Sequence, residues 1–228
     1  MKKAMTALTA FIAAACLLMT SCSDERLLRS VDDLIVPPLY YDEYGGLVET
    51  IQNDLGKDIR LCIPYEGDNR SAIIFNDIDG DGSEEAIVFY RTGKSESNAR
   101  MHIYRDTNRG WVSGGDFSGY GSEVGNVAID DMDLDGSKEL LVLWNIPGIS
   151  TGNVLSVYRS EPSELSYSEI ANEFCSLAKL VDVDGDSYNE LFFICYSNTD
   201  GVTHRFARVL KLSSGSVVLM GEARLDAN

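Results

Sequence analysis

Asn76-Asp77-Ile78-Asp79-Gly80-Asp81-Gly82-Ser83-Glu84-Glu85 decides the reading of this chain, because its pattern occurs three times. Asp130-Asp131-Met132-Asp133-Leu134-Asp135-Gly136-Ser137-Lys138-Glu139 and Val181-Asp182-Val183-Asp184-Gly185-Asp186-Ser187-Tyr188-Asn189-Glu190 share the form D-x-D-x-D-(G/S)-x-x-E, at an interval of about fifty residues. Self-similarity at a fixed period marks a repeat architecture. Carboxylates at alternate positions of a short loop repel one another unless a cation lies among them. The loops offer oxygen donors and neither imidazole nor thiolate, so the ion expected is the hard Ca2+, at up to three sites, rather than zinc or copper. The candidate ligands are the side chains of Asp77, Asp79 and Asp81, the carbonyl of Ser83 and the carboxylate of Glu85. The same offsets give Asp131, Asp133, Asp135, Ser137 and Glu139, then Asp182, Asp184, Asp186, Tyr188 and Glu190. Gly82 and Gly136 follow the third aspartate, where the chain must turn sharply. Ser187 stands there in the third loop, which makes it the least regular.

Each loop lies between two apolar runs: residues 72–75 and 86–90, then 127–129 and 140–144, then 177–181 and 191–194. Short and rich in Ile, Val, Leu and Phe, these read as buried strands that the loop joins in a hairpin. Two further strand candidates follow each hairpin, at 100–104 and around 111–113, at 154–158 and 165–167, and at 205–212 and 217–222. Four strands in about fifty residues is the arithmetic of a propeller blade. A βαβ alternative would need a helix, which only residues 163–174 could supply. Ahead of the repeats, residues 42–55 carry Leu47, Val48, Ile51 and Leu55 at helical spacing, with Gly56 placed to end the helix, and residues 59–63 read as a strand. The expected fold is therefore mainly β: β-propeller-like blades of four antiparallel strands, three of them recognisable, with a short N-terminal helix. Propellers have about four to eight blades, so a partial or open arc, or a piece of a longer protein in which Ala223-Arg224-Leu225-Asp226 begins another unit, is expected.

An EF-hand also begins D-x-D-x-D-G, but it closes with Glu at the twelfth position and is flanked by helices. Here Val88, Val142 and Phe193 stand at that position, inside strand-like runs. An acid at the ninth position followed directly by an apolar strand instead resembles the FG-GAP and VCBS repeat families, over about residues 70–225. The resemblance implies an integrin-like propeller architecture in which calcium holds the blades together, on an exported protein, and it implies no particular ligand.

Met1-Lys2-Lys3 and the apolar residues 4–19 form an export-signal pattern, too short to span a bilayer comfortably. The sequence Leu18-Met19-Thr20-Ser21-Cys22 resembles a bacterial lipobox, which implies cleavage before Cys22 and a lipid on its thiol. The organisation expected is a signal peptide at 1–21, a tether at 22–38, a helix and strand segment at 39–70 and repeats at 71–228. The place expected is the outer face of a cell-envelope membrane, reached through the lipid anchor alone. A formal charge of −17, from 19 basic and 36 acidic residues, repels phosphate backbones and anionic lipid surfaces, which disfavours nucleic acid as a partner. Of the remaining cysteines in the folded part, Cys175 and Cys195 could pair in an oxidising compartment, whereas their apolar surroundings, like those of Cys62, favour buried thiols.

Enzymatic motifs are weak. Gly148-Ile149-Ser150-Thr151-Gly152 matches the G-x-S-x-G elbow, which needs a strand before it and a helix after it; a strand-like run follows instead. Ile73 to Asn76 leading into Asp77-Ile78-Asp79 resembles the nucleophile strand of haloacid dehalogenase phosphatases, but the Thr expected after the pair is absent and two further copies would be idle. Gly114, Gly115, Gly119, Gly121 and Gly125 lack phosphate-cradle spacing and read as an irregular connection between blades. The aromatic residues read as packing. With only His102 and His204 available, little acid–base machinery is on offer, and no polar cluster is expected around either histidine or Ser150. The functional expectation is a non-enzymatic binding or adhesion module for an extracellular protein or glycan. The alternatives are an exported hydrolase or lyase on a propeller scaffold, and a purely structural scaffold.

Overall fold

Apolar runs too continuous for a half-buried strand need cover on both faces, and the structure provides it. It is a computed structural model that describes residues 45–93, 98–148, 152–161, 164–199, 201–213 and 216–225. The signal segment, Cys22, the tether, residues 42–44 of the expected helix, Ser150 and Asp226 lie outside the described residues. A helix α1 (Gly45–Leu55) is followed by twelve strands: β1 (Arg60–Leu61), β2 (Ile73–Asn76), β3 (Glu85–Arg91), β4 (Arg100–Arg105), β5 (Val112–Ser118), β6 (Glu123–Asp130), β7 (Glu139–Asn145), β8 (Asn153–Glu161), β9 (Ser166–Val181), β10 (Glu190–Thr199), β11 (Val202–Ser213) and β12 (Ser216–Arg224). They form two antiparallel sheets, and among the described strands none joins one sheet to the other. In the first, β1 and β2 pair successive stretches of one edge of β3, and β4 and β5 follow on the other side. The second runs β6 to β12 in chain order.

Within that second sheet β9 serves two meanders. Its first part pairs with β8 and its last part with β10, and Cys175 at the pivot is the register partner of both Asn153 and Cys195. Residues 166–174, within the one stretch (163–174) that could have been helical, are thus strand, because they pair with the free edge of β8. Cys175 and Cys195 are buried free thiols, and Cys62 is free and half-buried.

The core explains the sequence runs. Ile87, Phe89, Met101 and Ile103 of the first sheet join Val127, Leu140, Val142, Trp144 and Tyr158 in one cluster. The alternate residues of β7 and β8, Leu141, Leu143, Leu155 and Val157, join Leu191, Phe193, Cys195 and Leu212 in a second. Strand β7 therefore feeds two cores with successive side chains and is buried along its length up to Trp144. The large aromatics Trp144, Tyr104, Tyr158, Phe89 and Phe193 are fully buried. Helix α1 buries Leu47 and Ile51 and ends at Gly56, whose positive φ and amide bond to the Gln52 carbonyl close it.

Two expectations change. The glycine-rich stretch is not an irregular connection: Gly114 and Gly115 lie in β5 and Gly125 in β6. Glycine is tolerated in these strands because β5 carries a bulge, where Ile103 and Tyr104 pair with Gly115 and Ser113 and skip Gly114. At the joint that follows, a Cβ on Gly119 would strike the Trp144 ring and stand 2.7 Å from the Ala99 carbonyl. Ala223 and Arg224 do not open a further unit either. They complete β12, opposite Ala207 and Phe206, and the Leu225 amide donates to the Arg205 carbonyl. The G-x-S-x-G stretch belongs to the β7–β8 hairpin, where Asn145 faces Asn153 and the Ile146 amide donates to the Gly152 carbonyl.

Candidate metal centres

The three acidic loops join β2 to β3, β6 to β7 and β9 to β10, between register partners Asn76 and Glu85, Asp130 and Glu139, and Val181 and Glu190. The ninth residue of the motif is thus the first residue of a strand, and this is why it is buried: Glu85, Glu139 and Glu190 are 1%, 2% and 0% exposed. Each turns one oxygen back to the amide of the second loop residue, Ile78 at 2.9 Å, Met132 at 3.0 Å and Val183 at 2.9 Å. The first aspartate accepts from the sixth residue's amide in every copy, from Gly82, Gly136 and Ser187 at 3.0–3.2 Å. The third aspartate accepts from the seventh, Ser83, Ser137 and Tyr188, at 2.8–2.9 Å.

With their amides so engaged, the carboxylates face one another. Asp77, Asp79 and Glu85 bring ligand oxygens within 4.8 Å, as do Asp131, Asp133 and Glu139, and Asp182, Asp184 and Glu190. Each triad could hold a metal ion. Asp81, Asp135 and Asp186, expected as ligands, are not among the converging carboxylates; one oxygen of each accepts the amide bond just described. Ser83, Ser137 and Tyr188 contribute those amides. Burial is the main cause that pushes Glu85 and Glu139 up to about 7, with neighbouring loop aspartates adding to it. Asp131 Oδ1, a carboxylate oxygen of negligible exposure, accepts no hydrogen bond, an arrangement costly to leave without a compensating cation.

The sequence reading missed the bases that attend these loops. Tyr104, Tyr158 and Leu210 are the register partners of Ala86, Leu140 and Leu191, so the residues after them, Arg105, Arg159 and Lys211, occupy equivalent places beside the closing glutamates. The Arg105 guanidinium lies 2.6 Å from Asp79 Oδ2 and 3.5 Å from Asp81. Lys211 Nζ lies 2.9 Å from Asp186 and 3.5 Å from Glu190, and holds the Asp186 carboxyl below its ordinary range. Arg159 instead approaches Glu161, at 3.8 Å. The signal was legible, since a basic residue stands at nearly the same distance beyond each motif.

The loops also touch. Lys138 donates its amide to the Ile78 carbonyl at 2.6 Å and its ammonium to Asn76 Oδ1, and Asn189, at the equivalent position, donates to Asp130 Oδ2. The fourth residue of each loop has positive φ: Gly80, Leu134 and Gly185. So has the sixth, including Ser187. An L side chain in this region costs about 1–2 kcal/mol, partly offset by the backbone freedom that glycine adds to the unfolded chain. Leu134 is half-exposed and has no core to serve. Leu134→Gly and Ser187→Gly should therefore each raise stability by about 0.5–1 kcal/mol in chemical denaturation; a loss in either would show that the side chain carries a contact worth more than its strain.

Around His102, where no polar cluster was expected, one is present. The ring lies against Ser113, Asp116 and the stacked Tyr104 ring. His204 Nδ1 meets an Arg224 nitrogen at 2.6 Å. No protein-family model matches the chain, and no curated protein matches it in sequence.

Proposed function

We propose that the chain is an exported, lipid-anchored binding module whose repeats are propeller-like blades stabilised by calcium, with an extracellular protein or glycan as its ligand. The observation that carries the metal is the triple convergence of carboxylates around equivalent loops. Calcium suits the all-oxygen donor set, and its tolerance of irregular geometry suits loops that differ in their sixth residue. The blade reading is supported by the four-stranded antiparallel meander that accompanies each loop.

Extracellular calcium modules bind with Kd of about 10⁻⁴ to 10⁻³ M, so about 1 mM free ion would add roughly 0.4–1.4 kcal/mol per site. Three sites amount to about 1–4 kcal/mol, or roughly 3–15 °C in melting temperature. Millimolar calcium should produce this rise over excess chelator. Magnesium should restore little of it, because it demands a smaller octahedral cage. Asp133→Ala should remove most of one site's step in a calorimetric titration. An identical melting curve in chelator and calcium would return the loops to solvated acidic turns.

For the anchor, Cys22→Ala should release a soluble form or leave an unprocessed precursor. A processed variant still held in the membrane would defeat the lipid assignment. A glycan array and a pull-down from surface proteins would separate the two ligand classes.

A further inference from the structure

The outward face of the first sheet carries a group of side chains that the metal reading does not use. His102 on β4 is 5% exposed. Its Nε2 lies 2.8 Å from Ser113 Oγ, and its Nδ1, buried and without a hydrogen-bond partner, lies 3.9 Å from Asp116 Oδ1. Residues three apart on a regular strand point to opposite faces. The bulge at Gly114 adds the residue that brings Ser113 and Asp116 to the same imidazole.

Chemistry orders the group further. Asp116 is fixed by Arg100 Nη2 at 2.7 Å and by the Tyr90 hydroxyl at 2.9 Å, and Arg100 Nε donates to that hydroxyl. A held carboxylate on the Nδ1 side favours the tautomer with its proton on Nδ1, which leaves the Nε2 lone pair to accept from the Ser113 hydroxyl. Burial, the largest influence, pushes the imidazole below its ordinary range and keeps it neutral at pH 7. Ser113 itself is exposed. Asp116, Arg100 and Tyr90 also line a neighbouring cleft of about 340 Å³ with Asp54, Leu55 and Ser118, which neither Ser113 nor His102 lines.

We propose that Ser113 is an acyl-accepting nucleophile for activated carboxylic esters, with His102 as its general base and Asp116 as the positioning residue that sets the imidazole tautomer. Ser113 Oγ bonds to the ester carbonyl carbon while its proton passes to His102 Nε2. The bond from that carbon to the leaving oxygen then breaks, and the same proton goes to the departing alkoxide, leaving an acyl-Ser113 ester and an alcohol. The 3.9 Å gap to Asp116 is of the kind that closes when substrate is bound. This inference goes beyond the binding-module reading and does not depend on it, since none of these residues belongs to a loop.

The test treats the mature chain with p-nitrophenyl acetate, in chelator and in calcium, and locates acetyl groups by peptide mass mapping. One acetyl on Ser113 is expected in both buffers, absent in Ser113→Ala. His102→Gln should slow acetylation by about 10²-fold or more. Asp116→Asn should slow it about tenfold at an unchanged melting temperature, with Asp116→Glu recovering part of the rate. If His102→Gln does not fold, Ser113→Cys keeps the question open to measurement: iodoacetamide should alkylate it at pH 7 at least tenfold faster than free cysteine, because the imidazole draws off its proton. Acetylation spread over surface groups, a rate indifferent to His102→Gln, or an ordinary thiol at Ser113→Cys would overturn the assignment.

Discussion

In excess chelator the protein should gain stability as the pH falls from 8 towards 5, and millimolar calcium should flatten or reverse that slope. The cause lies in Glu85 and Glu139, which the fold buries at the head of β3 and β7 and pushes up to about 7. A carboxyl raised above its unfolded value of 4.5 keeps its proton in the folded state over a range where the unfolded chain has lost it. Its contribution is therefore complete below about pH 4.5 and disappears as the pH rises through about 7. At 1.36 kcal/mol per pH unit, each glutamate is worth on the order of 3 kcal/mol between those limits. Calcium binds the ionised form, so its own contribution grows with pH and opposes the loss. Denaturation midpoints across pH in chelator and in calcium measure both slopes. Glu139→Gln should remove about half of the metal-free slope, and a metal-free midpoint constant from pH 5 to 8 would show that the glutamates ionise freely in place.

Trp144→Ala should cost about 3–5 kcal/mol, a large part of a typical margin of about 5–15 kcal/mol. The indole is fully buried at the centre of the cluster that the two sheets share. It packs edge-on to Phe89 at 6.2 Å and donates through Nε1 to Ser156 Oγ, which is itself buried. Removal leaves a cavity and an unpaired hydroxyl together, and Gly119, whose missing Cβ makes room for the ring, offers nothing to refill the space. The urea midpoint should fall with an unchanged m value. Phe174→Ala, at a site 60% exposed, should stay within about 0.5 kcal/mol. A Trp144→Ala cost below about 1.5 kcal/mol would mean that the two sheets can close over the gap.

Much of the fold was legible because the signals were local. Alternating acids bounded by Ile, Val, Leu and Phe define a hairpin without reference to anything distant, and the helix was marked by Leu47, Ile51 and the closing Gly56. The misreadings arose where register decides. Gly114 and Gly115 look like loop residues until β4 imposes a bulge on them, and residues 166–174 are strand because β8 requires a partner. At the candidate site, the closing glutamates were identified from spacing alone, whereas spacing does not distinguish Asp81, Asp135 and Asp186 from the aspartates that converge. Arg105 and Lys211 were missed although a basic residue recurs beyond each motif, because what places them beside the loops is a cross-strand pairing. Leu134 was hidden because nothing in its chemistry announces a positive φ.

The sixteen-residue strand β9 also bears on how a chain of this plan can vary in length. A residue inserted near Cys175 would shift one of the two pairings that β9 makes, and a shift of one turns every side chain on that side from core to solvent. At the joint between β5 and β6, by contrast, no strand is shared, and the backbone bonds between the two parts, from the Tyr65, Glu66 and Lys138 amides to the Val124, Gly125 and Ile78 carbonyls, come from outside the strand ladders. Duplication, deletion or circular permutation should therefore be tolerated between β5 and β6 and rejected within β9, so that the heritable block is a single meander at the first boundary and an inseparable pair of meanders beyond it.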